Sequence, residues 1–240
     1  MSAEIVLQTK AGIAPTEAGA YFDYSYEHII EAANASLTAL NTDYIDILLL
    51  HRPDALVEPE EVARAFDELA ATGKVRAFGV SNHTPRQIDL LKKYVTQPIV
   101  ANQLQLSITH SPLIAHGVSS NMLGEDQSID RDRGILDYCR LHDITIQAWS
   151  PFQAGFFDGV FLDSPKYPEL NAVIDRLAAQ YNVPPIAIAT AWITRHPAQM
   201  QVVLGTTNAE RVAGAAQGSD IPLTRPEWYD LFRAAGHIVP

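Results

Sequence analysis

The stretch NTDYIDILLLHRPDAL, residues Asn41–Leu56, contains an unbroken apolar segment that ends in His51, Arg52 and Pro53. The segment Ile45–Leu50 has too few polar positions for a half-exposed antiparallel strand and is too short for a core helix. It is therefore predicted to be a buried strand of a parallel sheet. Since ligands bind at the carboxyl ends of such strands, His51 lies where a functional residue would lie. The alternative is that His51 only caps the strand by a hydrogen bond to a neighbouring loop.

Strand-like and helix-like segments alternate along the rest of the chain. Five further strands are predicted, at Glu4–Lys10, Val75–Asn82, Ile99–Ser107, Ile144–Pro151 and Gln201–Thr207. Helices are predicted to begin after Ser25 and Thr84, which are good N-cap residues, and the first of these extends to Leu40. A polar loop with little obvious structure covers roughly Ile108 to Asp130. All six strands are predicted to run in the same direction.

Repeated βα units with right-handed crossovers leave two architectures, an open doubly wound sheet or a closed (β/α)8 barrel. The glycine-rich fingerprint of a first dinucleotide-binding turn is absent, so the barrel is favoured. A complete barrel needs eight strands, whereas six are predicted here. No flexible linker or change in composition divides the chain, and residues 1–240 are predicted to form a single domain.

The composition excludes some classes of protein. The net charge of −11, from 28 acidic and 17 basic side chains, argues against nucleic acid as the main partner. Cys139 is the single cysteine and cannot form an intrachain disulfide, which suits a reducing compartment. No apolar run approaches the length of a membrane span, and the N-terminus does not resemble a signal peptide. A cytoplasmic protein with no membrane partner and no metal site is therefore predicted.

Every predicted strand is followed by polar or aromatic residues suited to recognition. They are Lys10, His51, Arg52, Pro53, Ser81, Asn82, Asn102, Gln103, Trp149, Ser150, Pro151, Gly205, Thr206 and Thr207, with Arg211 in the next helix. Each is weak evidence alone, since Lys10 also fits a solvated lysine, Asn82 a turn residue and Trp149 a core residue. Their recurrence at each strand end indicates one functional face.

The chain resembles the aldo-keto reductases over essentially its whole length. The motifs that carry the resemblance are TKAGI, DYIDILLLHRPD, GKVRAFGVSNHTPRQI, ANQLQLS, QAWSPF and VVLGTTNAERV. Together with the C-terminal segment LTRPEWYDLFRAAGHIVP, the arrangement is most similar to bacterial monomeric oxidoreductases of that family. The resemblance implies an incomplete (β/α)8 TIM barrel with six parallel strands, lacking the first two βα units of the family.

The resemblance also implies a function. Family members reduce aldehydes or ketones to alcohols by hydride transfer from NADPH or NADH, while a tyrosine protonates the alkoxide. Lys10 matches the lysine that, paired with an aspartate, lowers the pKa of that tyrosine. His51 matches the histidine that orients the carbonyl oxygen. The expected partner is a small carbonyl compound, whose identity would be set by the loops 108–130 and 152–168 and is not indicated by any motif.

The remaining matches concern the cofactor. The resemblance assigns Ser81, Asn82 and Gln103 to the nicotinamide carboxamide, Trp149 to stacking on the nicotinamide ring, and Ser150 to the pyrophosphate path. The adenosine end is assigned to the loop and helix start at Gly205, Thr206, Thr207, Asn208 and Arg211. Many NADPH-using members have a lysine where this chain has Asn208, and adenine-gripping polar residues where it has Gly214 and Ala215. NADP is therefore expected, with NAD as the alternative.

The family's catalytic aspartate and tyrosine precede the lysine strand, and this sequence begins nine residues before Lys10. We expect one of three explanations: a fragment or misplaced start, self-association that covers the open barrel edge, or a reduced descendant. The last corresponds to the alternative function, a noncatalytic nucleotide-binding or regulatory protein. Tyr21, Tyr24 and Tyr26 follow Lys10 and are expected to pack or cap their loop rather than to replace the catalytic acid.

Overall fold

The computed structural model describes residues 5–155 and 158–240. These residues fold as two compact units. The first runs to Gln103 and includes Leu141–Ile144, and the second consists of Leu104–Arg140 and Thr145–Pro240. The single domain over residues 1–240 stays a prediction.

In chain order the described strands are β1 (Gln8–Ala11), β2 (Ile13–Thr16), β3 (Gly19–Phe22), β4 (Ile45–Leu50), β5 (Val75–Ser81), β6 (Ile99–Gln105), β7 (Thr145–Trp149) and β8 (Gln201–Val202). Six of them form a parallel sheet in the order β1-β4-β5-β6-β7-β8. Ile45, Leu48, Leu49 and Leu50 are fully buried, because β4 lies between two other strands in the middle of the first unit. The predicted α/β fold with six parallel strands is confirmed.

The helices are α1 (Tyr26–Leu40), α2 (Pro59–Ala71), α3 (Pro85–Lys92), α4 (Pro112–Val118), α5 (Ile135–Leu141), α6 (Pro168–Tyr181), α7 (Pro185–Thr194), α8 (Ala209–Ala216) and α9 (Arg225–Ala234). Both predicted N-caps are confirmed. Ser25 Oγ accepts the His28 N–H at 3.3 Å, and the Thr84 N–H donates to Gln87 Oε1 at 2.9 Å. Within the described ranges, no helix has the length and apolar character needed to cross a membrane.

All five predicted strands other than Ile45–Leu50 are shorter in the structure, and the first and the last differ most in their bounds. The first begins at Gln8, with Glu4 outside the described residues, and the Leu7 N–H just before it donates to Asp46 Oδ2 at 2.9 Å. The last ends at Val202 instead of Thr207. Just beyond it the Val203 N–H still donates to the Ala148 carbonyl at 2.9 Å, and further on Thr206 Oγ1 accepts the Asn208 N–H at 3.1 Å, a local bond that precedes α8.

A helix and a hairpin are among the elements that were not predicted. Helix α4 lies within the segment 108–130 that was expected to be irregular, and its first residue is Pro112, a residue favoured at that position. Strands β2 and β3 form an antiparallel hairpin in which Ile13 pairs with Phe22 and Thr16 with Gly19. The hairpin places Tyr21 on an exposed strand, so the segment that follows Lys10 is more ordered than the sequence suggested.

Candidate active site

Lys10 and His51 lie at the ends of two neighbouring strands of the first unit. Lys10 is on β1 in register with Leu49 of β4, and the His51 N–H donates a 2.9 Å hydrogen bond to the Ala11 carbonyl. Both side chains are half-buried. One pair of parallel strands therefore brings these two predicted residues together.

The charges around this pair favour a neutral imidazole. Burial lowers the pKa of the Lys10 ammonium from its usual value. Burial also lowers the pKa of His51, and the positive charges of Lys10 and Arg52 lower it further. At neutral pH, His51 then offers one N–H donor and one acceptor. A neutral imidazole beside an ammonium group can hold a carbonyl oxygen and stabilise negative charge that develops on it.

The ends of β5 and β6 hold the next three predicted residues of the first unit. Ser81 pairs with Gln103, and Ser81 Oγ donates to the Gln103 carbonyl at 2.9 Å. The Asn82 side-chain amide donates to Ser81 Oγ at 2.8 Å, and the Asn82 backbone N–H donates to the Gln103 carbonyl at 3.0 Å. Asn82 adopts a left-handed conformation with φ of 59°. The hydrogen bonds of its side-chain amide and of its backbone N–H together fix the orientation of Asn82.

The second unit contains the other predicted residues. Trp149 is the last residue of β7 and is half-buried, and Ser150 follows it with φ of 52°. Gly205, Thr206 and Thr207 lie beyond the end of β8. Asn208 caps α8, since its Oδ1 accepts the Arg211 N–H at 2.9 Å. Arg211 is exposed in the first turn of α8, which is where an anion would find both positive charge and helix N–H groups.

Comparison with known proteins identifies the family. The sequence model described as Aldo/keto reductase family matches residues 1–234. The chain belongs to the aldo/keto reductase family. The 6-dehydroglucose reductase of Agrobacterium fabrum is 35% identical over 215 residues, which are 90% of this chain and 65% of that protein. Oxidoreductase YdhF of Escherichia coli is 35% identical over 97% of this chain and 73% of its own length. The chain thus spans about two thirds to three quarters of these two relatives.

Solved structures of aldo/keto reductases share the fold. An aldo/keto reductase from Klebsiella pneumoniae, solved in complex with NADP and acetate, superimposes with a TM-score of 0.72 at 22% identity. The match covers 98% of this chain and 71% of that chain. The predicted TIM-barrel fold of the aldo-keto reductase type is therefore confirmed. The roles of the individual site residues stay predictions.

Tyr24 supports the segment that carries His51. Its side chain is 2% exposed, its hydroxyl donates to the Arg52 carbonyl, and its backbone N–H donates to Asp54 Oδ2 at 3.1 Å. Burial and the Asp54 charge raise the pKa of the Tyr24 hydroxyl, so it keeps its proton. Tyr24 is packed in the interior, in line with the expectation that it packs or caps its loop, and its hydroxyl is already committed to a backbone carbonyl.

His83 and Asn102 support the proposed site. Asn102 was among the polar residues expected at the functional face but was given no role, and His83 was not expected there. His83 Nδ1 lies 2.9 Å from the Ser81 carbonyl, and its ring stacks on Tyr24 with centroids 6.2 Å apart. The Asn102 amide donates to the His83 carbonyl at 2.9 Å and is fully buried. The sequence did contain a signal for Asn102, because Asn102 and Gln103 are consecutive polar residues in an otherwise apolar strand. Successive side chains of a strand point to opposite faces, so only one of the two can face a ligand and the other must have a different role.

Gly214 and Ala215 of α8 are buried. They therefore do not provide contacts like those expected from the polar residues that hold adenine at these positions in the family. A Cβ added to Gly214 would lie 3.3 Å from both Pro184 and Ile186, so this side of α8 packs on the start of α7. The exposed Arg211 is left as the cationic candidate on this helix for the adenosine end of a dinucleotide.

One group of described residues has the composition of a metal site. The ligand atoms of His116, Asp130 and Asp132 lie within 4.8 Å of one another. Asp132 Oδ1 already accepts the N–H groups of Gly134 and Ile135, and Asp130 Oδ1 also accepts the Gly134 N–H. These carboxylates therefore serve to begin α5, and we assign no metal to them.

Proposed function

We propose that the protein is an oxidoreductase that reduces small aldehydes or ketones to alcohols with NADPH, with NADH as the alternative cofactor. The observation that carries the proposal is the adjacency of Lys10 and a neutral His51 at the ends of β1 and β4. Membership of the aldo/keto reductase family and the oxidoreductase names of relatives support the same chemistry.

The donor and acceptor groups of the first unit fit a nicotinamide. A carboxamide presents one N–H donor group and one carbonyl acceptor, which Asn and Gln side chains match in a single orientation. Ser81 Oγ links Asn82 and Gln103, because it donates to the Gln103 carbonyl and accepts the Asn82 amide N–H at 2.8 Å. When bound, a reduced nicotinamide would supply the hydride.

The chain's own residues would hold the substrate carbonyl. The His51 N–H would donate a hydrogen bond to the carbonyl oxygen and fix its position. The Lys10 ammonium would stabilise the negative charge that develops on this oxygen, and the proton that completes the alcohol would come from this ammonium or from water. Because both groups are half-buried, their interaction with that charge is stronger than it would be in water.

None of Tyr21, Tyr24 and Tyr26, the tyrosines that follow Lys10 most closely, is proposed as the proton donor. The Tyr24 hydroxyl is bonded to the Arg52 carbonyl and its pKa is raised. The Tyr26 hydroxyl is bonded to Glu68, and its pKa is raised chiefly by that bond. Tyr21 is 54% exposed on β3, and among the described residues no hydrogen-bond partner fixes its hydroxyl for proton transfer.

The start of α8 would receive phosphate. The first N–H groups of a helix lack intrahelical partners, and Asn208 Oδ1 occupies that of Arg211. An anion would therefore bond to the N–H groups of the two preceding helical residues, with the exposed Arg211 guanidinium beside them. The predicted contacts of Trp149 and Ser150 belong to the same proposal.

The experiment compares His51→Asn and Lys10→Met with the unchanged protein, using an activated aromatic aldehyde and NADPH. We expect kcat/KM to fall by about 10²–10³-fold for each variant while the NADPH dissociation constant changes little. His142→Asn, at an exposed position, is the matched control. NADPH binding with no turnover in any form of the protein would instead favour a noncatalytic nucleotide-binding protein, and absence of NADPH binding would contradict both functions.

A further inference from the structure

The second unit contains a cavity of about 380 Å³ whose lining residues are all distinct from the proposed active-site residues. It is lined by α4, α5, α9 and the residues that follow α7. Ile114, Val118 and Leu136 form its apolar part. A volume of this size is typical of pockets that bind small molecules.

Two arginines make the cavity a site of positive charge. Arg195 donates through Nε to the Leu223 carbonyl at 2.7 Å, which anchors the guanidinium and leaves its terminal NH2 groups for a ligand. Arg225 is the first residue of α9 and is exposed. Within residues 5–155 and 158–240, neither guanidinium forms an ion pair with a carboxylate.

The other titratable groups that line the cavity do not neutralise it. Asp137 is paired with Arg140 at 3.7 Å, so its negative charge is already matched by a third guanidinium. His196 is partly buried, and burial lowers its pKa to about 4, so it is uncharged at neutral pH. The local balance therefore remains positive, and an anion is the ligand that this balance favours.

The aromatic wall of the cavity is held in place by the rest of the second unit. Trp228 is 8% exposed, stacks on Trp192 with centroids 4.8 Å apart, and donates its indole N–H to the Trp192 carbonyl at 2.9 Å. Tyr229 packs edge-on against Trp228 with centroids 5.0 Å apart. A preorganised wall loses little conformational entropy when a ligand binds to it.

We propose that this cavity binds a small amphipathic monoanion, an aromatic carboxylate, with its ring among Trp228, Tyr229 and the apolar residues and its carboxylate on Arg195 and Arg225. Guanidinium groups suit a carboxylate because they offer two parallel N–H donors to its two oxygens. The apolar lining suits a ring, whereas inorganic phosphate would leave that part of the cavity unfilled.

The probe is 4-fluorobenzoate, observed by fluorine NMR line broadening with the whole 240-residue chain. We expect saturable binding that Arg225→Gln weakens about tenfold or more, because a charge-assisted hydrogen bond is lost. Arg133→Gln is the matched control, since Arg133 is exposed outside the cavity and the variant removes the same charge. The neutral 4-fluorobenzyl alcohol should bind at least tenfold more weakly than the carboxylate.

A second variant tests the place of binding independently of charge. Gly117 lines the cavity on α4, and a Cβ added there meets nothing within 4 Å, so Gly117→Leu should fold and obstruct binding. Binding should persist in His51→Asn, which alters the proposed active site. The proposal is overturned if the probe does not bind, if Arg133→Gln weakens binding as much as Arg225→Gln, or if Gly117→Leu leaves binding intact while its melting temperature is unchanged.

Discussion

The segment after β4 and the segment after β8 both carry predicted site residues, yet they are held in different ways. Residues 51–54 are fixed by Tyr24, which donates to the Arg52 carbonyl and to Asp54 from about thirty residues away. The segment 206–211 is held by local bonds, from Asn208 to Thr206 and from Arg211 to Asn208. The comparison indicates that the segment proposed to hold the carbonyl is fixed in place without a ligand. The segment proposed to hold phosphate would gain most of its contacts from the ligand.

The largest expected effect concerns Gly12, and it tests how firmly Tyr24 holds the segment after β4. A Cβ on Gly12 would lie 2.3 Å from Tyr24 Cε1, and the residue has φ of +100°. We expect Gly12→Ala to lower the free energy of unfolding by about 3 kcal/mol, measured by urea denaturation. Gly19→Ala is the matched control, because Gly19 also has positive φ but nothing within 4 Å. Equal losses in the two variants would show that the Tyr24 contact contributes nothing.

The second effect is the pH dependence of the free energy of unfolding that follows from the buried His83. Burial lowers the pKa of His83 to about 4, from the usual 6.5 of the unfolded chain. Between these values the unfolded chain binds more protons, so stability falls as the pH drops below about 6.5. We expect the protein to lose about 2 kcal/mol more than His83→Asn between pH 7 and pH 5. Parallel losses in urea denaturation would mean that His83 is not buried as a neutral group.

The smallest effect concerns Arg211, in the segment after β8. If Arg211 contacts the 2′-phosphate, Arg211→Ala should raise the dissociation constant for NADPH about tenfold more than that for NADH. Isothermal titration calorimetry gives both constants. Arg176→Ala is the control, since Arg176 is an exposed arginine on α6 paired with Asp230 at 3.5 Å. An equal loss of affinity for both cofactors would remove Arg211 from the 2′-phosphate.

The sequence predicted the elements whose local signals agree with their tertiary surroundings. The apolar segment Ile45–Leu50 is β4 as predicted, and the caps at Ser25 and Thr84 begin helices. Prediction from the sequence failed where local and tertiary preferences compete. The last strand had been predicted to extend to Thr207, but it ends at Val202, and the Thr206 hydroxyl accepts the Asn208 N–H just before α8.

The candidate site was predictable only in part, for a related reason. Lys10 and His51 could be found because strand ends in parallel sheets are functional positions. The support by Tyr24 and His83 depends on contacts between residues far apart in sequence, and no periodicity or capping pattern reveals such contacts. The buried faces of Gly214 and Ala215 were also not predictable, because helix periodicity alone does not tell which neighbour covers a small residue.

The central claim is that this chain binds a nicotinamide whose ring stacks on Trp149. The chain has three tryptophans, and Trp192 and Trp228 stack on each other at 4.8 Å. Titration with oxidised NADP should therefore quench the intrinsic fluorescence saturably, and Trp149→Phe should remove that quenching while Trp228→Phe retains it. Quenching of equal size in Trp149→Phe, or no saturable quenching in the unchanged protein, would contradict the claim.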